Sequence, residues 1–376
     1  MRSPISRRWL MIASSLCALS LVVAACGGSD SSSSSSGSSS SSSSSAKADK
    51  VAVLLPDTKS SVRWETADRP LLQQAFKAAG VPVEIQNAQG DKSTQQQQAE
   101  QAITNGAKVL LLVNLDSGSG AAIEANAKSQ GVKVIDYDRL TLGGSADYYV
   151  SFDNVAVGKL QGQGLVNCLQ QGGGPAKPKI AELNGSPTDN NATLFAQGYN
   201  SVLNPLYKAG KATKVADQSV PDWDNQKALT IFEQMLQKES NKIDGVLAAN
   251  DGLGNAAISA IKARKLKQIP VTGQDATAEG IQNILAGDQC MTVYKAIKQE
   301  ADAASKLAIA LSKKQSPAAG LVNGKSDDTK RQVPSVLLKP QAITKDNVNV
   351  VFDDGFLKKS DVCTGKYAQL CTAAGV

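Results

Sequence analysis

In this 376-residue chain, carboxylates, amides and cations collect directly behind the β-like runs, and histidine is absent altogether. Tyr137-Asp138-Arg139 follows the run at 132–136, and the stretch from Ser186 through Asp189 to Asn191 follows 180–183. Asn250-Asp251 follows 243–248, Gln274-Asp275 follows 269–272, and Tyr294-Lys295 closes the run that starts at 290. Groups of this kind donate and accept in planar, often bidentate fashion, which suits the hydroxyls of a polyol. Taken singly, Asp189 or Asp251 reads equally well as the N-cap of the apolar helix behind it. Five strand ends enriched together read as one polar site. Trp64 and Trp223 sit in polar, loop-like settings (Ser61-Val62-Arg63-Trp64 and Pro221-Asp222-Trp223), which are not expected of central core residues. A flat apolar ring there can lie on the C–H face of a cyclic polyol while polar neighbours take its hydroxyls.

The missing histidine removes Ser-His-Asp and Cys-His nucleophile pairs, the commonest general base and the commonest metal ligand. No cofactor or metal is expected. A carboxylate pair of the glycosidase kind survives that cut, but the architecture read below offers no fixed cleft for a long glycan.

The elements that must position these groups alternate along the chain. Strand-like runs fall at 51–55, 81–86, 109–114, 132–136, 148–152, 180–183, 243–248 and 269–272, with later ones at 290–295 and 333–338. Helical patterns lie between them at 66–79, 94–104, 120–129, 190–207, 223–238, 253–264 and 299–312. The strands are mostly continuous apolar runs, as parallel strands covered on both faces should be. Ligands of open α/β sheets bind beyond the carboxyl ends of such strands, which is where the polar groups were found. The pattern restarts after Gly172-Gly173-Gly174-Pro175, so the reading is an α/β protein of two lobes. The expected division is 48–152 with 294–332 for the first lobe, 153–293 with 333–350 for the second, and a tail at 351–376.

The amino terminus carries an address. Arg2, Arg7 and Arg8 precede a short apolar run over 10–23 that ends in Val23-Ala24-Ala25-Cys26. This is the design of a signal peptide at 1–25, too short and wrongly flanked for a membrane span. The tetrapeptide resembles a bacterial lipobox, and the resemblance implies cleavage before Cys26 and a diacylglyceryl group on its sulfur. Residues 26–47 are almost pure serine, which reads as a flexible linker holding the folded part about 25 Å from its anchor. The formal charge of +6 includes the three leader arginines, so the mature chain carries about +3. Charges of both signs are interspersed, and no footprint for nucleic acid appears. A regulator core of similar fold is set aside by the leader and by the lack of a helix-turn-helix. Four cysteines follow Cys26, and an even number in an exported chain points to disulfides. Of the three possible connectivities, the local Cys363–Cys371 loop is favoured, which leaves Cys168 with Cys290.

Several of these segments carry a family resemblance. Arg63-Trp64, Tyr137-Asp138-Arg139-Leu140, the stretch from Tyr149 to Asn154, Gly185 to Ala192, Gly273-Gln274-Asp275-Ala276 and Met291 to Lys295 together resemble bacterial D-xylose-binding proteins of the ribose/galactose-type periplasmic binding protein family. Thr58-Lys59-Ser60-Ser61 and the stretch from Val333 to Pro340 resemble the related multiple-sugar binders. The resemblance implies a type I periplasmic-binding-protein fold, two Rossmann-like doubly wound lobes joined by three hinge crossings and closing over one monosaccharide. It implies D-xylose first, with glucose, arabinose or galactose as alternatives. Carried over residue by residue, it implies sugar contacts from Arg63, Trp64, Asp138, Arg139, Asp189, Asn191, Trp223, Asn250, Asp275 and Lys295, with Lys59 as an addition. It further implies a monomeric, extracytoplasmic lipoprotein on the outer face of the cytoplasmic membrane. Such a protein serves an ABC transporter permease or, alternatively, reports sugar to a membrane receptor.

Overall fold

The computed structural model describes residues 48–376, so the expected leader, Cys26 and the serine-rich stretch lie outside the described residues. From the start of this region strand and helix alternate: β1 (Lys50–Leu55), a π-helical turn (Trp64–Asp68) running into α1 (Arg69–Ala78), β2 (Val83–Asn87), α2 (Lys92–Thr104), β3 (Ala107–Leu112), α3 (Ser117–Ser129), β4 (Lys133–Tyr137) and β5 (Tyr148–Phe152). The chain then builds α4 (Asn154–Gln171), β6 (Lys179–Asn184), α5 (Asn190–Lys208), β7 (Thr213–Ser219), α6 (Asn225–Lys238), β8 (Gly245–Ala248), α7 (Asp251–Ala263), α8 (Ala278–Ala286) and β9 (Thr292–Tyr294). It closes with α9 (Ile297–Ser312), β10 (Gly324–Asp327), β11 (Gln332–Leu338), β12 (Gln341–Ile343), α10 (Val350–Asp353), α11 (Lys359–Val362) and α12 (Tyr367–Ala373).

The first lobe is a seven-stranded sheet in the order β10-β11-β5-β4-β3-β1-β2, parallel except for the edge strand β10. Its strand β1, held between β3 and the edge strand β2, reads Lys-Val-Ala-Val-Leu-Leu and is buried on both faces, Val51, Val53 and Leu55 on one and Ala52 and Leu54 on the other. This is why its run is continuous rather than alternating. Helix α9 returns from late in the sequence to cover one face, with Ala304, Leu307 and Ala308 in the same cluster as Val53 and Val109.

The second lobe centres on the parallel strands β7-β6-β8. A single bridge, Val246 to Val271, extends it, and the backbone bonds Asp275 N–H to Val293 and Val293 N–H to Gly273 carry it on to β9 and its antiparallel neighbour β12. The full strand expected at 269–272 is therefore reduced to one bridge, since Pro270 has no N–H for a ladder and the chain bends at Gln274 and Asp275. Helices α4 and α5 cross so closely that a Cβ on Gly158 or Gly198 would collide with the opposing backbone.

Strand β11 corrects the expected division of the chain. Residues 333–338 were assigned to the second lobe, yet Ser335 to Leu338 pair with Tyr149 to Phe152 in the first-lobe sheet. Val336 packs with Ile135 and Val150 there, and that burial fixes its place. The chain crosses between lobes after Phe152, after Tyr294 and, for the third time, after Leu338. The expected tail at 351–376 packs on the second lobe: Val351, Val362 and Cys371 share a core cluster with Ile281 and Leu285 of α8. Both disulfides have the expected partners, Cys168–Cys290 tying α4 to the approach of β9 and Cys363–Cys371 closing a loop in the tail. Among the described residues no helix is long and apolar enough to cross a membrane.

Candidate functional site

Each polar group behind a strand is aimed by a local device. Behind β1, the Asp57 carboxylate accepts from the N–H groups of Lys59 and Ser60 at 2.8 and 2.6 Å, folding the loop into an Asx turn. Behind β4, Asp138 takes a left-handed conformation (φ 62°), which Asp tolerates better than most residues. Its carbonyl accepts from Tyr149 Oη and Ser151 Oγ of β5, so the turn is pinned from the neighbouring strand. Asp189 caps α5 by accepting from Asn191 N–H at 2.9 Å, and Asn250 caps α7 by accepting from Leu253 N–H at 2.9 Å. The capping role considered for Asp251 thus falls to its neighbour. Asp251 lies fully buried beneath, accepting from Thr277, Gln289 and Thr292, and burial pushes its carboxyl up to about 7 against those donors.

These devices converge on one cavity between the lobes. Arg63, Trp64, Asp138 and Arg139 line it from the first lobe, and Asp189, Asn191, Trp223, Asn250 and Asp275 from the second. Lys295, on the crossing between β9 and α9, completes the wall. Its Nζ lies 3.5 Å from Asp138 and 3.7 Å from Asp275, one carboxylate of each lobe. Measured for the centres of water-sized spheres, the space is only about 30 Å³, because the two walls meet. Asn191 Nδ2 donates to both the carbonyl and the carboxylate of Asp138 at 3.0 Å. Arg139 Nε lies 3.1 Å from Asp189 without hydrogen-bonding geometry, a buried donor left over for another acceptor.

Lys59 is the exception among the expected contacts. Its side chain is exposed and lines an outer cavity at the mouth of the cleft, not the enclosed one, because the Asx turn points Ser60 inward instead. The tryptophans differ from expectation in another way: Trp64 is 2 % exposed and Trp223 6 %, each joined to the core cluster of its own lobe while also walling the cavity. Trp64 Nε1 donates to Ser60 Oγ and Trp223 Nε1 to Asp189 Oδ2, both at 3.1 Å, so each buried ring keeps its polar edge satisfied. Ser60, Ser61, Phe195 and Gln274 also line the cavity and were not among the expected sugar contacts. Ser60, Ser61 and Gln274 adjoin residues that were, and Phe195 falls one turn of α5 beyond Asn191.

Charge is concentrated behind the first-lobe wall. Four of the five N–H donors of Arg63 are committed: Nε and Nη2 to Asp68, Nη1 to Asp138 at 2.8 Å, and Nη2 also to Glu300 at 2.6 Å. Burial works against every ion here, and the partners decide the outcome. It opposes the Asp138 carboxyl, but Lys295, Arg63 and Arg139 outweigh it and hold that group down at about 2. It opposes the Lys295 ammonium, which Asp138 and Asp275 nevertheless hold above its ordinary value. For Asp275 burial prevails and raises the carboxyl despite Lys295 and Arg63. It prevails for Glu300 as well, raising that carboxyl to about 8, and Glu300 Oε1 has no hydrogen-bond partner.

Two α/β lobes joined by three crossings, closed on a polar cavity at their strand ends, define a two-lobed solute-binding protein of the type I periplasmic binding protein fold. The chain belongs to that family: a model described as "Periplasmic binding protein domain" matches residues 51–316. It is a binding protein rather than an enzyme. The chain is similar to the D-xylose-binding periplasmic protein of Escherichia coli K12, 38% identical over 321 residues that cover 84% of this chain and 93% of that one. It is also similar to the multiple sugar-binding periplasmic receptor ChvE of Rhizobium radiobacter, 33% identical over 84% of this chain and 92% of that one. Among solved structures, an ABC transporter solute-binding protein from Clostridium phytofermentans with bound β-D-glucose superimposes with a TM-score of 0.77. It is 29% identical and covers 83% of this chain and 99% of that one. A carbohydrate transporter solute-binding protein from Chloroflexus aurantiacus in complex with D-glucose gives 0.76 at 31% identity, covering 83% and 97%.

Proposed function

We propose that the chain binds one monosaccharide in the cavity between its lobes, D-xylose first and glucose, arabinose or galactose as alternatives, and delivers it to an ABC importer. The observation that carries this reading is the lining of the cavity: carboxylates, amides and cations from both lobes converge between two tryptophans. Hydroxyls require the first and a pyranose C–H face the second. The names of the similar proteins point the same way, toward xylose, multiple sugars and glucose. In this reading Asp138 and Asp275 accept from hydroxyls, Arg139 donates with its unused Nε, Asn191 and Asn250 do both, and Trp64 and Trp223 flank the ring. Sugar drives closure because it bridges groups that only the closed form brings together, and so binds that form more tightly. A micromolar dissociation constant corresponds to about −8 kcal/mol, within reach of four or five satisfied hydroxyls together with stacking.

Titration calorimetry of the mature protein against xylose, glucose, arabinose, galactose and ribose tests the reading. Binding of at least one in the micromolar range is expected, and no heat with any of the five refutes it. The expected lipid on Cys26 would hold the protein near its permease. Cys26→Ser should release the protein from membranes or leave it unprocessed, and normal processing with retained membrane association counts against the anchor.

A further inference from the structure

A second cavity opens directly outside the enclosed one, at the mouth of the same cleft, and measures about 320 Å³ for the centres of water-sized spheres. The two share four wall residues, Ser60, Arg139, Asp189 and Trp223, so they are separated by little more than the Arg139–Asp189 ion pair. Gln89 and Leu115 approach the outer space from the first lobe, and Thr188 and Lys227 from the second. A ligand there touches both lobes, as one in the inner cavity does.

The outer lining favours a neutral, hydroxyl-rich occupant over an ion. Its carboxylates are already answered within the protein, and the one unpaired cation of the lining, Lys59, is exposed at the rim. The Asp57 carboxylate is taken up by the N–H groups of Lys59 and Ser60 and by Ser60 Oγ. Asp224 caps α6, accepting from Gln226 and Lys227 N–H, and Asp222 pairs with Lys227 Nζ at 2.7 Å. What remains besides Lys59 is uncharged: the Gln89 amide N–H2 and the capacity of the Thr188 hydroxyl beyond its bond to Ser186 Oγ, beside the apolar surfaces of Leu115 and Trp223. Alternating polar and apolar surface of this kind suits a sugar ring.

We propose that the outer cavity is a second sugar subsite, and that the protein accepts a disaccharide with one ring in the enclosed cavity and the other at the cleft mouth. The glycosidic oxygen would pass beside Arg139, whose Nε is the uncommitted donor on the dividing wall. This inference rests on the reading of the inner cavity as a monosaccharide site.

The test is calorimetry on the mature protein with D-xylose and D-glucose and with their β-1,4-linked disaccharides, xylobiose and cellobiose. At least one disaccharide should bind as tightly as its monosaccharide or more so. Leu115→Trp, which fills the outer space without reaching the inner one, should weaken the disaccharide at least about tenfold and leave the monosaccharide within about twofold. Gln89→Ala should weaken the disaccharide alone in the same sense. Monosaccharide binding also shows that each variant is folded. If monosaccharides bind and both disaccharides bind more than about a hundredfold less tightly, the second subsite is wrong while the first reading stands. Disaccharide binding that both variants leave intact overturns the location of the subsite. If no sugar of either size binds, the underlying reading fails with it.

Discussion

Arg139 reaches across the cleft to within 3.1 Å of Asp189, whereas its neighbour Asp138 is already held inside its own lobe by Arg63 at 2.8 Å. The two adjacent residues therefore answer mutation differently. Arg139→Met removes a group whose charged partner lies on the other lobe, so affinity should fall about 10- to 150-fold, the value of a charge-assisted contact of roughly 1.5–3 kcal/mol, with the sugar-free melting temperature nearly unchanged. Asp138→Asn leaves Arg63 and Lys295 short of a buried counter-charge, so both affinity and sugar-free stability should fall, the latter by about 3–5 kcal/mol. Calorimetry and thermal melting of the two variants decide this. Intact binding in Arg139→Met with a lowered melting temperature would mean that the residue is structural.

The tryptophans should report binding. Trp64 and Trp223 are the only two beyond the expected leader, and both wall the cavity. Trp64 also lies under the Arg63 guanidinium at 4.4 Å, so a change in local field should move its emission. Saturating sugar should alter fluorescence in the parent and in Trp223→Phe, by a smaller amount in the variant. A saturating ligand that leaves the parent spectrum unaltered contradicts the placement of both rings.

Glu300 should make stability fall as the solution becomes alkaline. Burial raises its folded value to about 8, well above the ordinary glutamate value, so the folded protein holds this proton more tightly than the unfolded chain does. That contribution is fully present below the unfolded value and is lost as pH rises through the folded one. Between about pH 7 and about pH 9 the parent should lose on the order of 1 kcal/mol that Glu300→Gln retains. Denaturant melts at the two pH values, parent against variant, measure it, and parallel losses in both proteins would show that Glu300 does not titrate there.

The two disulfides should differ in worth. Cys168–Cys290 closes a loop with a sequence separation of 122 and Cys363–Cys371 one of 8, so loop-closure entropy assigns them about 5 and about 2.5 kcal/mol. The double variant Cys168→Ser/Cys290→Ser should therefore melt below Cys363→Ser/Cys371→Ser. The reverse order would show that the tail, packed on α8, carries more of the fold than its loop length implies.

Much of this molecule was readable from sequence wherever burial writes a continuous pattern. β1, β3 and β5 are apolar apart from Lys50, Lys108 and Ser151 because both of their faces are covered, and the polar groups behind them could be picked out by contrast. Helix α4 carries little amphipathic pattern because Gly158, Gly162 and Gly164, which let α5 and Met291 approach, erase the usual apolar stripe. β7 is a half-exposed edge strand with no apolar run to betray it. Ser60 and Lys59 were exchanged in role because their orientation is set by the Asp57 turn rather than by residue type. Glu300 had no signal at all: it sits in the first turn of α9, where an acidic residue is unremarkable, 237 positions from the Arg63 it touches.

The late return of β11 and α9 to the first lobe bears on how the chain is made. Seven strands cannot be assembled there until residues 324–338 exist, and Val53 and Val109 stay uncovered until Ala304 and Leu307 arrive. A nascent chain emerging from its amino end therefore has no complete lobe to lock into until nearly nine-tenths of it has been synthesised. Such a chain stays threadable for most of its synthesis, and its order of strands acts as a built-in delay on folding before the final segment is released.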